Sequence, residues 1–152
     1  MQLKKKFRFE ASHILSKHPG KCSRLHGHSW VLHVMVEGPV NPDTGFVMDY
    51  GDISKAVKPI VEDLDHRHLG VWDVFAEDSN IGTARCRALP LEFYSTSENL
   101  LMRIAELLMI SLPQWSALSL EETCTSEALL LRCEYDQFVM DQKERSDAAA
   151  RK

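Results

Sequence analysis

The chain has no Cys-x-x-Cys pair, no long apolar run, no surplus of positive charge and no internal repeat or low-complexity stretch, and each absence removes a class of protein. A helix that crosses a bilayer needs about 20 consecutive apolar residues, and no run in these 152 residues approaches that, so no membrane partner is expected. A net charge of −4 does not supply the basic face on which binding to a phosphate backbone depends, so no nucleic-acid partner is expected either. An anionic small molecule needs only a few local cations. Lys21, Arg24, Arg85 and Arg87 are candidates by charge alone. The cysteines (Cys22, Cys86, Cys124 and Cys133) are widely spread, which in a reducing compartment predicts thiols or ligands rather than disulfides. The basic opening from Met1 to Arg8 is followed by no apolar segment and no small-residue cleavage site, which predicts a cytoplasmic protein.

What is present is ordinary for one globular domain, with 44% hydrophobic and 26% charged residues. Phe7, Phe9 and Ala11 alternate with Lys6, Arg8 and Glu10, the period of a half-buried strand that delivers His13 at its end. From His28 to Glu37 a second strand places Trp30, Leu32, Val34 and Val36 on the face of His28. Phe46 to Tyr50 reads as short and extended. From Asp52 as N-cap, Ile53, Val57, Ile60, Val61 and Leu64 recur at helical spacing, with Pro59 forcing a kink or a restart. Ser95 to Glu98 matches a capping box that opens a second helix through Leu100, Leu101, Ile104, Leu107 and Leu108. Leu118 to Thr123 and Ala128 to Tyr135 read as two strands joined across Cys124 to Glu127.

The order ββααββ predicts an α+β domain, an antiparallel four-stranded sheet with two helices on one face. The domain is expected over residues 1–140, with 70–94 as an inserted segment without sustained periodicity and 141–152 as a polar tail of frayed helix or disorder.

The chemistry-bearing residues cluster early. Side chains two apart on a strand point to one side, so His26 and His28 can reach one ion, and Gly27 between them permits close backbone approach. With His13 as a third nitrogen, a tetrahedral zinc ion keeps one vertex open, the pattern of a catalytic rather than a structural site. Cys22, in a polar Lys-Cys-Ser-Arg setting, reads either as a thiolate base beside that ion or as the fourth ligand of a closed structural site. Asp65 and His66 form a carboxylate–imidazole pair suited to proton transfer. Glu122 shares a strand face with Leu118 and Leu120, an odd place for an unpartnered carboxylate. It reads either as a strand-end salt bridge or as an anchor for a planar heterocycle with adjacent N–H donors, such as a pterin.

Taken together, Phe9-x-Ala11-Ser12-His13, Cys22-Ser-Arg-Leu-His26-Gly-His28, Thr44-Gly-Phe-Val-Met-Asp49-Tyr50, Leu64-Asp65-His66, Thr96-Ser97-Glu98-Asn99 and Glu121-Glu122-Thr123-Cys124-Thr125 resemble the 6-pyruvoyl-tetrahydropterin synthase family. The short gap between Cys22 and His26 resembles its bacterial 6-carboxy-5,6,7,8-tetrahydropterin synthase branch. The resemblance implies a tunnelling fold (T-fold), zinc on His13, His26 and His28, Cys22 as proton acceptor, and Asp65, His66 and Glu122 as its relay. It also implies Glu122, Thr96 and Ser97 as pterin contacts, and a homohexamer built as a dimer of trimers. The implied substrate is a pterin triphosphate, 7,8-dihydroneopterin triphosphate. Its conversion would give 6-carboxytetrahydropterin, acetaldehyde and triphosphate on the way to queuosine. The alternatives are a pyruvoyl-forming synthase on the same substrate and a noncatalytic zinc-stabilised scaffold. Two features depart from the family pattern: Ser95 stands where proline is usual, and the connection from Gly70 to Tyr94 is far longer than in the bacterial branch.

Overall fold

In the computed structural model, residues 1–70 and 94–150 are described. The chain runs β1 (Gln2–His13), β2 (His26–Glu37), α1 (Tyr50–Leu64), β3 (Arg67–Leu69), α2 (Ser97–Ser111), β4 (Trp115–Thr123), β5 (Ser126–Leu131) and α3 (Arg132–Ala150), with a 3-10 turn at Lys21–Ser23. The strands form one sheet in the order β3-β1-β2-β4-β5. Phe7, Phe9 and Ala11 of β1, Trp30, Leu32, Val34 and Val36 of β2, and Leu118 and Leu120 of β4 make its apolar face. Onto that face pack Ile53, Val57, Val61 and Leu64 of α1 and Leu100, Leu101, Ile104, Ala105 and Leu108 of α2. The α+β architecture and the two covering helices follow the period-2 and period-3.6 patterns in the sequence.

The sheet has a fifth strand that the sequence pattern does not announce. Three residues, Arg67–Leu69, pair parallel to the end of β1, with Ala11 opposite Arg67 and His13 opposite Leu69. A strand this short carries no readable alternation. It is held where the chain leaves α1, as the His66 N–H donates to the Glu10 carbonyl at 2.6 Å and the Asp65 carboxylate accepts from the Glu10 N–H at 2.7 Å.

Several boundaries differ from the sequence expectation. Phe46 to Tyr50 forms no strand; instead Asp49, not Asp52, caps α1, its carboxylate accepting from the Gly51 N–H. The helix continues through Pro59 without a restart. Thr96 rather than Ser95 caps α2, its hydroxyl accepting from the Asn99 N–H at 3.4 Å, because Ser95 is buried and committed elsewhere. The hairpin turn shortens to Cys124 and Thr125, and the last strand ends at Leu131 rather than Tyr135. There Glu134 accepts from the Leu131 N–H at 2.9 Å, Arg132 donates to the Pro113 carbonyl at 2.6 Å, and the Tyr135 ring meets the Trp115 ring edge-on at 5.6 Å. These contacts turn the chain into α3, which carries the polar tail as helix to Ala150. The inserted segment lies, apart from its end residues Gly70 and Tyr94, outside the described residues.

Replacing Asp49 by Ala should destabilise the protein by about 1 kcal/mol through loss of the cap. Asp52→Ala, which removes only an exposed bridge to Lys55, should cost less than about 0.5 kcal/mol. Urea unfolding of the two variants side by side checks which aspartate starts the helix.

Candidate metal centre

β1 ends and β2 begins at the same place. In their antiparallel register His13 lies opposite His26 and Ala11 opposite His28, with Gly27 opposite Ser12. A side chain on Gly27 would press within 3.2 Å of the Ala11 carbonyl oxygen, so glycine lets the strands close here. The result is three imidazoles on the helix-covered face, with His13 fully buried. His13 Nε2 is 3.0 Å from His26 Nε2 and 3.2 Å from His28 Nε2. Trp30 forms the floor, edge-on to both His13 and His28 with ring centroids 5.3 Å away, and its indole N–H donates to the Ala11 carbonyl.

The protons on two of these rings are fixed by their surroundings. His13 Nδ1 is 2.8 Å from the Ser95 carbonyl, and His26 Nδ1 is 2.7 Å from the Arg24 carbonyl. A carbonyl only accepts, so each Nδ1 carries hydrogen and each neutral ring presents its Nε2 lone pair to the other. Lone pairs 3.0 Å apart with no hydrogen between them repel. A shared proton would relieve the contact, yet burial above all holds His13 below the usual histidine range, with the neighbouring His26 and His28 adding to it against the Ser95 carbonyl and Glu122. His28 is lowered as well, again chiefly by burial. A metal cation answers the same need without that penalty. Zinc–nitrogen bonds of about 2.0–2.1 Å imply tetrahedral N···N edges of about 3.3 Å, and the observed 3.0 and 3.2 Å fit such an edge. Carbonyls on the remote ring nitrogens are the outer partners that metal-binding histidines characteristically have.

A fourth group enters from β4. Glu122 Oε1 is 3.2 Å from His13 Nε2 and 3.4 Å from His28 Nε2, and the four ligand atoms of His13, His26, His28 and Glu122 all lie within 4.8 Å of one another. The β4–β5 register shifts between Glu121 and Thr123, leaving Glu122 at an irregularity of the kind that re-aims side chains beside functional sites. The sequence marks Glu122 as out of place on an apolar face and leaves open a salt bridge or a heterocycle as its partner; the structure sets its carboxylate against the imidazoles.

Among the described residues, the other predicted ones do not join this cluster. Cys22 sits in the 3-10 turn, whose carbonyl accepts from the Leu15 N–H at 2.9 Å, and among the described residues it joins neither group of converging ligand atoms. Cys22, Cys124 and Cys133 are all free thiols. His66 Nδ1 meets Asp65 Oδ2 at 2.8 Å, and the backbone N–H of Glu10 first, then His66, holds the Asp65 carboxyl below its ordinary value. His66 also lines an open cleft of about 380 Å³ with Glu10, Ser12, His28 and Arg67. No described hydrogen bond or ion pair joins this pair to Cys22. Thr96 and Ser97 follow directly on Ser95, so the start of α2 adjoins the centre, though the Thr96 hydroxyl is spent on its own helix. Arg85 and Arg87 lie outside the described residues. The carbonyls of Ser95 and Arg24 and the buried His68 were not foreseen. Backbone acceptors leave no residue-type signal, whereas Trp30 is legible from its spacing two residues after His28.

A model of the 6-pyruvoyl tetrahydropterin synthase family matches residues 2–133, and the chain belongs to that family. Among curated relatives, the 6-carboxy-5,6,7,8-tetrahydropterin synthase of Haemophilus influenzae is 28% identical over 145 residues, covering 90% of this chain and 99% of that protein. The protein of the same name from Synechocystis is 43% identical over 70 residues, 43% of this chain and 54% of that protein, so this match spans about half of the relative. Among solved structures, 6-pyruvoyl tetrahydropterin synthase of Caenorhabditis elegans superposes with a TM-score of 0.66 at 23% identity, covering 86% of this chain and 94% of that one, and so shares the fold.

The buried imidazoles set a pH dependence. His68 accepts or shares a proton with Ser12 Oγ at 3.1 Å and is held down to about 4, by burial first and then by His13. An unfolded chain protonates this ring near 6.5, so stability is complete above that pH and falls as pH drops from there to about 4. His13 and His28 act in the same direction. In metal-free protein the urea midpoint should therefore decline across that window, with His68 contributing on the order of 3 kcal/mol at most. A midpoint that holds level or rises on acidification would contradict the buried neutral assignment.

Proposed function

We propose that the protein is a zinc-dependent 6-carboxy-5,6,7,8-tetrahydropterin synthase, a carbon–carbon lyase acting on 7,8-dihydroneopterin triphosphate to release acetaldehyde and triphosphate, in queuosine biosynthesis. The observation that carries this reading is the convergence of the Nε2 atoms of His13, His26 and His28 at 3.0 and 3.2 Å in a chain of this family. The names of the Haemophilus and Synechocystis relatives support the choice of product. When bound, the ion would act as a Lewis acid that acidifies the side-chain hydroxyls of the pterin and stabilises developing negative charge.

The chain's own residues would do the rest. His13, His26 and His28 hold the ion, with the Ser95 and Arg24 carbonyls fixing two of the rings. Cys22 takes and returns the proton. Asp65 remains anionic under the Glu10 N–H and keeps a proton on His66 Nδ1, leaving Nε2 of that ring free to accept another. In this reading Glu122 anchors the pterin through paired hydrogen bonds to adjacent N–H groups rather than closing the ion's fourth vertex, and Thr96 and Ser97 at the start of α2 are further pterin contacts. The reading includes a cytoplasmic homohexamer. Among the described residues β5 ends the sheet on the side away from β3, and its outer edge is what a neighbouring copy would pair with.

The scaffold alternative needs Cys22 as the fourth ligand, whereas the group that converges with the imidazoles is Glu122. Incubation with 7,8-dihydroneopterin triphosphate should give 6-carboxytetrahydropterin and acetaldehyde by mass spectrometry. A chelator should abolish turnover and added Zn²⁺ should restore it. A product that keeps all three side-chain carbons would assign the pyruvoyl-forming activity instead. Cys22→Ala should retain zinc while turnover falls by roughly 10²–10⁴-fold; joint loss of zinc and stability would favour the scaffold.

A further inference from the structure

We infer that the sheet face opposite the helices carries a second divalent-cation site, formed by His33 on β2, Glu121 on β4 and Glu127 on β5. A ring nitrogen of His33 and carboxylate oxygens of Glu121 and Glu127 lie within 4.8 Å of one another, and His33 Nε2 is 2.7 Å from Glu121 Oε1. The three residues come from adjacent strands. Glu121 and Glu127 stand directly opposite each other in the antiparallel β4–β5 register, and like charges in that position repel.

Among the described residues no lysine or arginine nitrogen comes within ion-pairing distance of either carboxylate; Lys4 and Lys6 act on Glu121 only from farther off. Burial supplies a second, independent sign. His33 is 6% exposed and its Nδ1 has no hydrogen-bond partner among the described residues, while Ser119, opposite it in register, is fully buried with a hydroxyl that has none there either. Buried polar groups in a folded protein are ordinarily satisfied. A buried imidazole that meets the Glu121 carboxylate, with the Glu127 carboxylate within 4.8 Å and a second polar atom of its own ring unused, offers a cation three ligand atoms.

One nitrogen and two carboxylate oxygens suit Zn²⁺ or a neighbouring first-row ion better than Mg²⁺, which prefers an all-oxygen shell. Three protein ligands leave room for water. The site is separate from the three-imidazole centre, since Glu121 and Glu122 are consecutive on β4 and their side chains serve opposite faces. It does not depend on the reaction proposed above.

Zinc itself is the probe. After equilibrium dialysis of the full chain against buffered free Zn²⁺, elemental analysis should find two equivalents per chain. Glu127→Gln and His33→Gln should each bind one fewer than the parent, and His28→Ala should lose the other equivalent. Glu127 is exposed, so Glu127→Gln should keep the parent's unfolding midpoint in metal-free buffer and its turnover. A single equivalent in the parent protein that is lost in His28→Ala, or an undiminished count in Glu127→Gln, would overturn the second site.

Discussion

The antiparallel register of β1 and β2 is the constraint on which the rest of the molecule depends. It sets His13 against His26 and Ala11 against His28, and the same register sends Phe7, Phe9, Trp30, Leu32 and Val34 into the core. A slip of one residue would turn every side chain of one strand to the other face. His13 would then leave the imidazole cluster while Phe7 and Phe9 left the helices. The core therefore secures the geometry of the imidazole cluster at no separate cost, because the hydrophobic pattern that fixes the strands has already fixed the histidines.

How far the sequence discloses this follows from where each signal lies. β1, β2, α1 and α2 carry long, regular patterns, so their faces and the shared side of His26 and His28 can be read directly, while His13 joins them only through the β1–β2 register. Asp49 and Asp52 are both plausible caps by type, and only the Gly51 N–H bonded to Asp49 decides between them. β3 is three residues long, too short to show a period. The end of β5 is hidden for a different reason. Ala128 to Leu131 and the first residues of α3 form one apolar-leaning run, and the break at Arg132 is made by tertiary contacts to Pro113 and Trp115. Glu122 falls between these cases: its isolation on an apolar face is visible, while its partner depends on a register irregularity in β4.

Two consecutive glutamates on β4 give the sheet two chemistries. Strand alternation sends Glu121 toward His33 on the open face and Glu122 toward His13 and His28 on the covered one. Each carboxylate meets an imidazole on β2, so the pairing of β2 with β4 is reinforced from both sides. A single Glu→Leu change at either position would leave a buried or half-buried imidazole without its partner, a cost that the outward-facing acids of α3 do not carry.

The outer carbonyls show how the centre is connected to the rest of the fold. Arg24 is two residues from His26, so that contact is local and survives changes elsewhere. Ser95 is 82 residues from His13, and its contribution is a backbone carbonyl rather than its side chain. A carbonyl is all that His13 needs, provided the backbone is held. The backbone is held by the cap at Thr96 and by Asn99, whose side-chain amide donates to the Tyr94 carbonyl at 2.8 Å. The long connection thus ends one residue before the acceptor that orients a buried ligand. The start of α2 must hold its place, because turning the Ser95 carbonyl away would leave a buried N–H on His13 unsatisfied and free its ring to rotate away from His26 and His28.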